Sequence, residues 1–335
     1  TEDVSGSLLI SAADGATLKG IRIGGDLILA PGVTKDVTLV DCVIQGNIRN
    51  YGTGEVRFEA PQITPESTAT KPSEVYKPGA TLDRTLEYGG KTVPIYRDRP
   101  LNVFSDVDFI WTDEENENRR RLEYLGGEFR TRYGIDVSSF QGEIDWNAVA
   151  DDNIDFAMVR VGFRGTGTGS LNTDKYYEQN IRGAMRAGLE TGVYFFAQAV
   201  TVEEAIEEAD YVISLLDGLD INGPVAYDWE MHDSTYRVYG TSPEMATACA
   251  VAFCQRIKDA GYTPMVYGGT YVTYMKYDQG ALADYLSWYP EYKSEKSEKL
   301  CPTLVYHMDY WQFSSSRAVA GINGRVDMNI QFIRR

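Results

Sequence analysis

Acidic residues at the ends of short apolar segments are the side chains of this sequence best suited to chemistry. Asp228 and Glu230 lie in PVAYDWE, Asp136 lies in YGIDVSSFQG, and Asp327 lies in GRVDMN. Residues two apart in a strand face the same side, so Asp228 and Glu230 are expected to project together. Two adjacent carboxyl groups cannot both ionise freely, and the more buried one should keep its proton toward neutral pH. Such a pairing of acid and base is what the cleavage of a glycosidic bond requires.

Each acid also has a purely structural interpretation. A carboxylate at a strand end can cap the following helix or pair with a nearby arginine. Four such positions in one domain, with almost no lysine nearby and no other candidate base, favour a reactive site over four separate caps. The prediction therefore rests on the group of four acids and not on any single member.

The elements that would hold these acids begin at Tyr133, where candidate strands start to alternate with amphipathic helices. This alternation is typical of a parallel α/β domain, whose reactive groups collect at the carboxyl ends of the strands. Eight candidate strands predict an irregular (β/α) TIM-like barrel, in which some helices are short or missing because the segment has only about 200 residues. Helix starts are indicated by a capping box at Thr201 and Glu204 and by Ser242 before Pro243. The candidate strands are 134–137, 156–161, 192–197, 225–229, 264–267, 285–289, 305–313 and 326–330.

The first 60 residues contain a faint internal repeat and predict a small all-β domain. Short apolar alternations punctuated by glycine are typical of the rungs of a β-solenoid, and an ordinary β-meander is the alternative. The repeat matches five positions with five others that lie 21 residues later: Leu18, Ile21, Ile23, Gly25 and Leu27 with Leu39, Cys42, Ile44, Gly46 and Ile48.

A change in composition follows this repeat. Residues 61–80 hold four prolines with serine, threonine and lysine, which is a linker composition. Residues 81–132 mix possible strands, at 91–96 and 101–110, with a charged run, TDEENENRRRLE, that is expected to be a solvated face. The predicted organisation is a solenoid-like β module over 1–60, a linker and irregular connecting segment over 61–132, and the barrel over 133–335.

The composition excludes several classes of function. Lys plus Arg number 32 against 49 Asp plus Glu, and the net charge of -17 would repel nucleic acid and anionic lipid surfaces. No uncharged apolar run approaches the roughly 20 residues of a membrane span. The 4 cysteines lack CxxC pairing and the chain has only 2 histidines, so we expect free core thiols, no metal and no cofactor. The 23 tyrosines supply ring faces of the kind that stack on sugars or line interfaces.

Six segments of the C-terminal domain, taken in order, resemble the glycoside hydrolase family 25 lysozymes, the muramidases of the Chalaropsis type. The resemblance covers residues 133–335, and six ordered motifs make it specific. The third motif departs from the family pattern, because VYFFAQA carries phenylalanine where many relatives have a histidine after the tyrosine. The motifs are YGIDVSSFQG at 133–142, DFAMVRVGFRG at 155–165, TGVYFFAQA at 191–199, PVAYDWE at 224–230, PMVYGG at 264–269, and WQFSSS followed by VAGINGRVDMN at 311–329.

The resemblance implies cleavage of the β-1,4 bond between N-acetylmuramic acid and N-acetylglucosamine in peptidoglycan. Glu230 matches the general acid. Asp228 matches its partner, which either attacks the sugar or orients the substrate's own 2-acetamido oxygen for attack. Asp136 and Asp327 match further acids that would tune the pair or hold a water. Seven residues match groove positions of the family that would contact sugar. For the aromatic rings among them, packing in the barrel core is the alternative. The seven residues are Tyr194, Phe196, Arg164, Tyr267, Tyr289, Trp311 and Gln312.

Bacterial cell-wall peptidoglycan is thus the expected partner, and the N-terminal module is expected to contact the wall or another surface protein. The expected location is extracellular or cell-wall associated, although residues 1–7 lack the basic and apolar parts of a secretory signal. Two alternatives remain open: a non-catalytic glycan-binding protein, and a surface adhesion protein whose hydrolase is secondary. His232 is expected to be a loop histidine bonded to backbone and not a proton shuttle.

Overall fold

The chain forms two compact units, residues Thr1–Thr68 and Ala69–Arg335. The structure is a computed structural model, and it describes residues 4–13, 15–40, 42–44, 48–59, 70–79, 81–112 and 115–335. The division between the units falls inside the proline-containing segment 61–80. Residues 61–69 and 80 of that segment, and Gly46 of the repeat, lie outside the described residues.

The described strands of the first unit pair in parallel, in three small sheets with the orders β1-β4-β7, β2-β5-β8 and β3-β6. Corresponding residues of the sequence repeat lie side by side, with Leu18 opposite Leu39 and Ile23 opposite Ile44. Leu27 is fully buried in the small apolar core that these strands enclose. The strands are β1 (Leu8–Ala13), β2 (Ala16–Lys19), β3 (Arg22–Ile23), β4 (Leu27–Val33), β5 (Val37–Val40), β6 (Val43–Ile44), β7 (Ile48–Asn50) and β8 (Val56–Glu59).

The second unit begins with a short helix and two β-hairpins, where the sequence predicted a linker and an irregular connecting segment. The first hairpin turns at two glycines with φ of 57° and 75°, a conformation that suits a two-residue hairpin turn. Widely spaced apolar side chains, Ile95, Phe109 and Leu122, anchor the hairpins in the main core. The stretches between these apolar residues are charged or rich in proline, so the composition of the segment alone did not indicate the hairpins. The elements are α1 (Pro72–Val75), β9 (Leu82–Tyr88), β10 (Lys91–Tyr96), β11 (Phe109–Trp111) and β12 (Leu122–Tyr124).

Eight strands close into a barrel within residues 115–335, all of which the structure describes. Their order is β13-β21-β20-β19-β18-β17-β16-β14, the β13–β14 pair closes the ring, and β15 extends β14 outward. Within the closed ring of eight strands the pairs are parallel, except that β21 runs antiparallel to both of its neighbours. The barrel is therefore mixed and not wholly parallel. The strands are β13 (Phe129–Val137), β14 (Phe156–Arg164), β15 (Leu171–Thr173), β16 (Glu190–Ala197), β17 (Val225–Trp229), β18 (Pro264–Tyr267), β19 (Leu286–Pro290), β20 (Tyr310–Arg317) and β21 (Val326–Arg334).

Helices cover the outside of the barrel, and two of them begin where the sequence predicted. The hydroxyl of Thr201 accepts a hydrogen bond from the backbone of Glu204, and the hydroxyl of Ser242 accepts one from Met245. No α-helix follows β19 or β20 in this fully described region, as the short length of the domain predicted. None of the described helices is long and apolar enough to cross a bilayer. The helices are α2 (Trp146–Asp151), α3 (Tyr177–Arg186), α4 (Val202–Leu215), α5 (Pro243–Asp259) and α6 (Thr270–Met275).

An apolar cluster fills the inside of the barrel below the carboxyl ends of the strands. It contains Met158, Ala226 and Tyr310. Two residues further along the same strands, the inward positions become Arg160, Asp228 and Gln312. The interior therefore changes from an apolar layer to a polar layer toward the end of the barrel where the acids were expected.

Candidate active site

A pocket of about 210 Å³ opens at the carboxyl ends of the barrel strands, and all four predicted acids line it. Asp136 and Asp228 each lie one residue before the end of their strands, β13 and β17, and Glu230 follows β17 directly. Asp327 lies near the start of β21, and because β21 is antiparallel, its start meets the same end of the barrel. The fold therefore brings together four residues that are as much as 191 positions apart.

Asp228 and Glu230 differ in exposure. Asp228 pairs in register with Phe196 and Tyr267 on the neighbouring strands and is 6% exposed, whereas 26% of the Glu230 side chain is exposed. Burial, and then the charge of Glu230 and a hydrogen bond to it, raise the pKa of Asp228 well above its usual value. Oδ1 of Asp228 has no hydrogen-bond partner among the described residues. The more buried acid is therefore the harder of the two to ionise, and it keeps one oxygen without a hydrogen-bond partner.

Two amide side chains hold Asp136. Gln312 and Asn329, which face each other on β20 and β21, both donate to Oδ2 of Asp136 at 2.8 Å. Their own oxygens accept hydrogen bonds from the rings around them, since Tyr267 and Trp288 donate to Gln312 and Asn329 respectively. The amide nitrogens are thereby aimed at Asp136, which suits a carboxylate acceptor.

Asp136 and Asp327 form the second carboxyl pair of the pocket. Burial raises the pKa of Asp136 to about 6, while the hydrogen bonds from Asn329 and Gln312 limit the rise. Burial, and then the charge of Asp136, raise the pKa of Asp327 to about 8. At neutral pH the pair therefore carries about one negative charge, held mainly on Asp136.

Arg160 is a pocket residue that the sequence analysis missed. Its Nη2 lies 2.8 Å from the fully buried carboxylate of Asp174, and its guanidinium lies over the ring of Phe140 at 5.2 Å. Arg160 also lowers the pKa of Asp228 slightly against the effect of burial. An arginine inside the otherwise apolar run FAMVRV was the available signal, because such a side chain needs a buried partner.

Four of the seven predicted sugar-contacting residues line the pocket, and six lining residues, Arg160 included, were not predicted. Among these, Phe140 and Tyr292 are 85% and 54% exposed, which leaves their rings open to a ligand. The predicted residues that line the pocket are Tyr194, Phe196, Tyr267 and Gln312, and the additional ones besides Arg160 are Ser138, Phe140, Gln141, Trp288 and Tyr292.

Arg164, Tyr289 and Trp311 do not line the pocket, which corrects the prediction for these three. A β-bulge between Arg160 and Gly162 reverses the alternation of β14, so Arg164 points outward, where it binds Glu208. Tyr289 and Trp311 each neighbour a pocket residue in sequence, and adjacent residues of a strand face opposite sides. The hydroxyl of Tyr289 bonds to that of Thr270, and both rings are buried in the main core.

His232 lies beside the exposed acid. Its Nε2 is 3.1 Å from Oε2 of Glu230, and 64% of the imidazole is exposed. The sequence predicted a hydrogen bond from His232 to the backbone, whereas the structure shows a contact with the carboxyl group of Glu230. Among the described residues, no group of three or more His, Cys, Asp or Glu side chains is arranged to hold a metal ion.

The model of the glycosyl hydrolases family 25 matches residues 135–322, more than half of the chain. This chain belongs to glycosyl hydrolases family 25. The match confirms the resemblance drawn from the six ordered motifs. It includes Asp136, Asp228 and Glu230, and Asp327 lies five residues beyond its end.

Two curated relatives of this family 25 chain are named lysozymes. It is 26% identical over 197 residues to the autolytic lysozyme of Clostridium acetobutylicum, covering 58% of this chain and 54% of that protein. It is 27% identical over 201 residues to lysozyme M1 of Streptomyces globisporus, covering 58% of this chain and 66% of that protein. The matched region thus spans about half the length of the first relative.

Two solved structures share the fold of the family 25 domain. The spore cortex lytic enzyme SleM of Clostridium perfringens matches 60% of this chain and 67% of its own, with a TM-score of 0.51 and 23% identity. The modular autolysin LytC of Streptococcus pneumoniae matches 73% of this chain and 57% of its own, with a TM-score of 0.51 and 24% identity. At these identities the likeness supports the barrel fold.

Proposed function

We propose that this family 25 chain is a lysozyme that hydrolyses the β-1,4 bond between N-acetylmuramic acid and N-acetylglucosamine in peptidoglycan. The observation that carries the proposal is the pairing of a buried carboxyl, Asp228, with a more exposed one, Glu230, in one open pocket. Membership of the family and two relatives that bear the name lysozyme support the same assignment.

Glu230 acts as the general acid because its carboxyl is the more exposed of the pair and so can reach the glycosidic oxygen. The proton held on Asp228 passes to Glu230 through the hydrogen bond between them, and Glu230 donates it to the leaving oxygen. Asp228 is then negative and faces the positive charge that develops at the anomeric carbon. It either attacks that carbon or orients the 2-acetamido oxygen of the substrate for attack, and water completes the hydrolysis.

Asp136 and Asp327 form the second pair of acids in the same pocket. Asp136 is ionised above about pH 6 and is held by two amides, so its negative charge is fixed in position. Asp327, with its pKa of about 8, keeps a proton in neutral solution and can donate a hydrogen bond. We assign to this pair the holding of a water and the tuning of the Asp228–Glu230 charge.

Rings at the rim of the pocket bind the sugars. Phe140 and Tyr292 are exposed and line the pocket, so each can offer a ring face to a pyranose. The hydroxyl of Tyr292 donates to Gln312 at 3.1 Å, which fixes the orientation of its ring. Arg160 holds Phe140 from beneath through the contact of its guanidinium with the ring.

Digestion of purified peptidoglycan, with mass analysis of the sugar that bears the new reducing end, tests this function. A lysozyme leaves N-acetylmuramic acid at the new end, and Glu230→Gln should abolish its release. New N-acetylglucosamine ends would identify a different glycosidase, and free peptide would identify an amidase. Binding of the wall without release of any new end would instead support the non-catalytic glycan-binding alternative.

For the first unit we propose a small β-solenoid module that contacts the wall or another surface protein, in a chain that works outside the cell or at its wall. The parallel pairing of strands at the period of the sequence repeat supports the solenoid. The test compares wall binding and hydrolysis by the full chain and by a chain lacking residues 1–68. That deletion spares α1, which packs on α5 of the second unit. Unchanged wall binding would exclude the wall as the module's partner and favour a contact with another surface protein.

A further inference from the structure

The backbone of Glu230 lies beyond the strand ladder of the barrel. The pairing of β16 with β17 ends at Ala197 and Trp229, one residue before Gln198 and Glu230. The carbonyl oxygen of Glu230 accepts a hydrogen bond from Nε2 of Gln198 at 2.8 Å, and Gln198 is fully buried. One side-chain amide therefore joins the two strand ends at the residue that carries the proposed acid.

The orientation of the Gln198 amide is determined by this contact. A backbone carbonyl only accepts hydrogen bonds, so the group that faces Glu230 is the amide nitrogen. The other end of the amide, Oε1, is buried without a partner among the described atoms. An unpaired buried oxygen lowers stability, and an apolar side chain of similar size would avoid that loss. A role for the bond to Glu230 explains why an amide stands here.

Two ion pairs, the buried Arg164–Glu208 and the partly exposed Arg237–Glu204, hold Gln198 from both sides of its backbone. Its N–H donates to Oε1 of Glu208 at 3.0 Å, and its carbonyl accepts from Nη1 of Arg237 at 3.0 Å. Nε of Arg164 donates to the same oxygen of Glu208 at 2.8 Å, and Arg237 makes two further bonds to Glu204. Both acids lie on α4, so the helix fixes the place of the amide relative to the barrel.

We propose that Gln198 is a positioning residue of the proposed lysozyme, holding the backbone of Glu230 so that its carboxyl meets the glycosidic oxygen. The inference rests on the proposed function of Glu230, and Gln198 acts through the main chain because its amide bonds to the carbonyl group. A shift of about 1 Å in a catalytic group can lower the rate by about 100-fold. Loss of the bond should therefore reduce turnover, while sugar binding at the rings of the pocket is preserved.

The test compares the same substitution at two buried glutamines in the full chain. Gln198→Met removes the donor to Glu230 and keeps the volume. Gln279→Met is the control, since Gln279 is buried, donates to the carbonyl of Thr273, accepts a hydrogen bond from Arg99 and does not line the pocket. On soluble glycan strands, kcat of Gln198→Met should fall about 10-fold or more with KM unchanged, whereas Gln279→Met should keep both values. Melting curves record the loss of stability in each variant.

A kcat for Gln198→Met no lower than that of Gln279→Met would overturn the positioning role. If Gln198→Met does not fold, Gln198→Asn replaces it, because the shorter amide keeps the polarity but falls short of the Glu230 carbonyl and should lower kcat in the same way. A failure of the proposed function has a different signature. If the wild-type chain releases no N-acetylmuramic acid ends, both the proposed function and the role of Gln198 are overturned. A wild-type chain that depends on Glu230 but tolerates both changes at Gln198 overturns only this one.

Discussion

Asp136 and Asp327 lie directly opposite each other on the antiparallel strands β13 and β21, and their carboxyl groups hydrogen-bond. Antiparallel pairing places the start of β21 against the end of β13, which brings the two acids to one level of the barrel. Burial then raises both pKa values, to about 6 for Asp136 and about 8 for Asp327. The reversed last strand thus creates a second carboxyl pair beside Asp228 and Glu230.

This pair predicts that stability falls as the pH rises. Both pKa values exceed the usual value of about 3.9, so the folded chain binds more protons than the unfolded chain between pH 4 and 8. Their contribution is greatest below about pH 4 and is lost as the pH rises through 6 and 8. Asp327→Asn removes one of these groups. The Tm of the variant minus the Tm of the wild type, measured by calorimetry at each pH, should therefore increase by about 3 °C or more from pH 5 to pH 8.5. A constant difference across that range would contradict the high pKa of Asp327.

Substitution of the proposed acid predicts a loss of turnover without a loss of fold. Glu230→Gln keeps the size of the side chain but supplies no acidic proton, so release of new reducing ends should fall by at least about 100-fold. Asp228→Asn should cost as much or more if Asp228 meets the reacting centre directly. Glu178→Gln serves as the control, because Glu178 is an exposed residue of α3 paired with Arg182. Near-normal turnover of a folded Glu230→Gln chain would remove Glu230 as the general acid.

The strands of the barrel and the common location of the four acids could be predicted from the sequence because they depend on local patterns. Short apolar segments mark β14, β16 and β17, and an acid at the end of such a segment falls at the end of the barrel. The direction of β21 could not be predicted in this way, since a strand has the same alternation in either direction. The possible strand at 91–96 coincides with β10, but the pairing into the hairpins β9–β10 and β11–β12 was not predicted, because each hairpin is held by one or two buried side chains.

Which side chains face the pocket depends on the alternation of inward and outward residues along each strand, and on the bulges that interrupt this alternation. Alternation alone shows that Trp311 and Gln312 cannot share a side, and the same holds for Trp288 and Tyr289. The bulge in β14 could not be foreseen, since it arises from pairing with β16. It turns Arg164 away from the pocket, whereas Arg160, which precedes the bulge, faces inward in either case. Residue type therefore predicted the acids better than it predicted the residues around them.

The corrected lining of the pocket predicts different effects for two nearby tyrosines. Tyr292 is exposed at the rim, so Tyr292→Ala should raise KM for soluble glycan strands roughly five- to tenfold through loss of a stacking ring. Tyr289→Phe removes a hydroxyl that bonds to Thr270 outside the pocket, and KM should stay at the wild-type value. Steady-state kinetics of both variants provide the comparison. Equal changes in KM would show that glycan contacts extend beyond the pocket as it is described.

His232 predicts only a small effect on the proposed acid. Its Nε2 lies 3.1 Å from Oε2 of Glu230, and 64% of the imidazole is exposed. Contacts between exposed side chains of this kind contribute little, so His232→Asn should change turnover by no more than about two- to threefold. The rates at which the variant and the wild type release new reducing ends provide the comparison. A loss of about 100-fold, the size expected for Glu230→Gln, would instead identify His232 as a proton relay to Glu230.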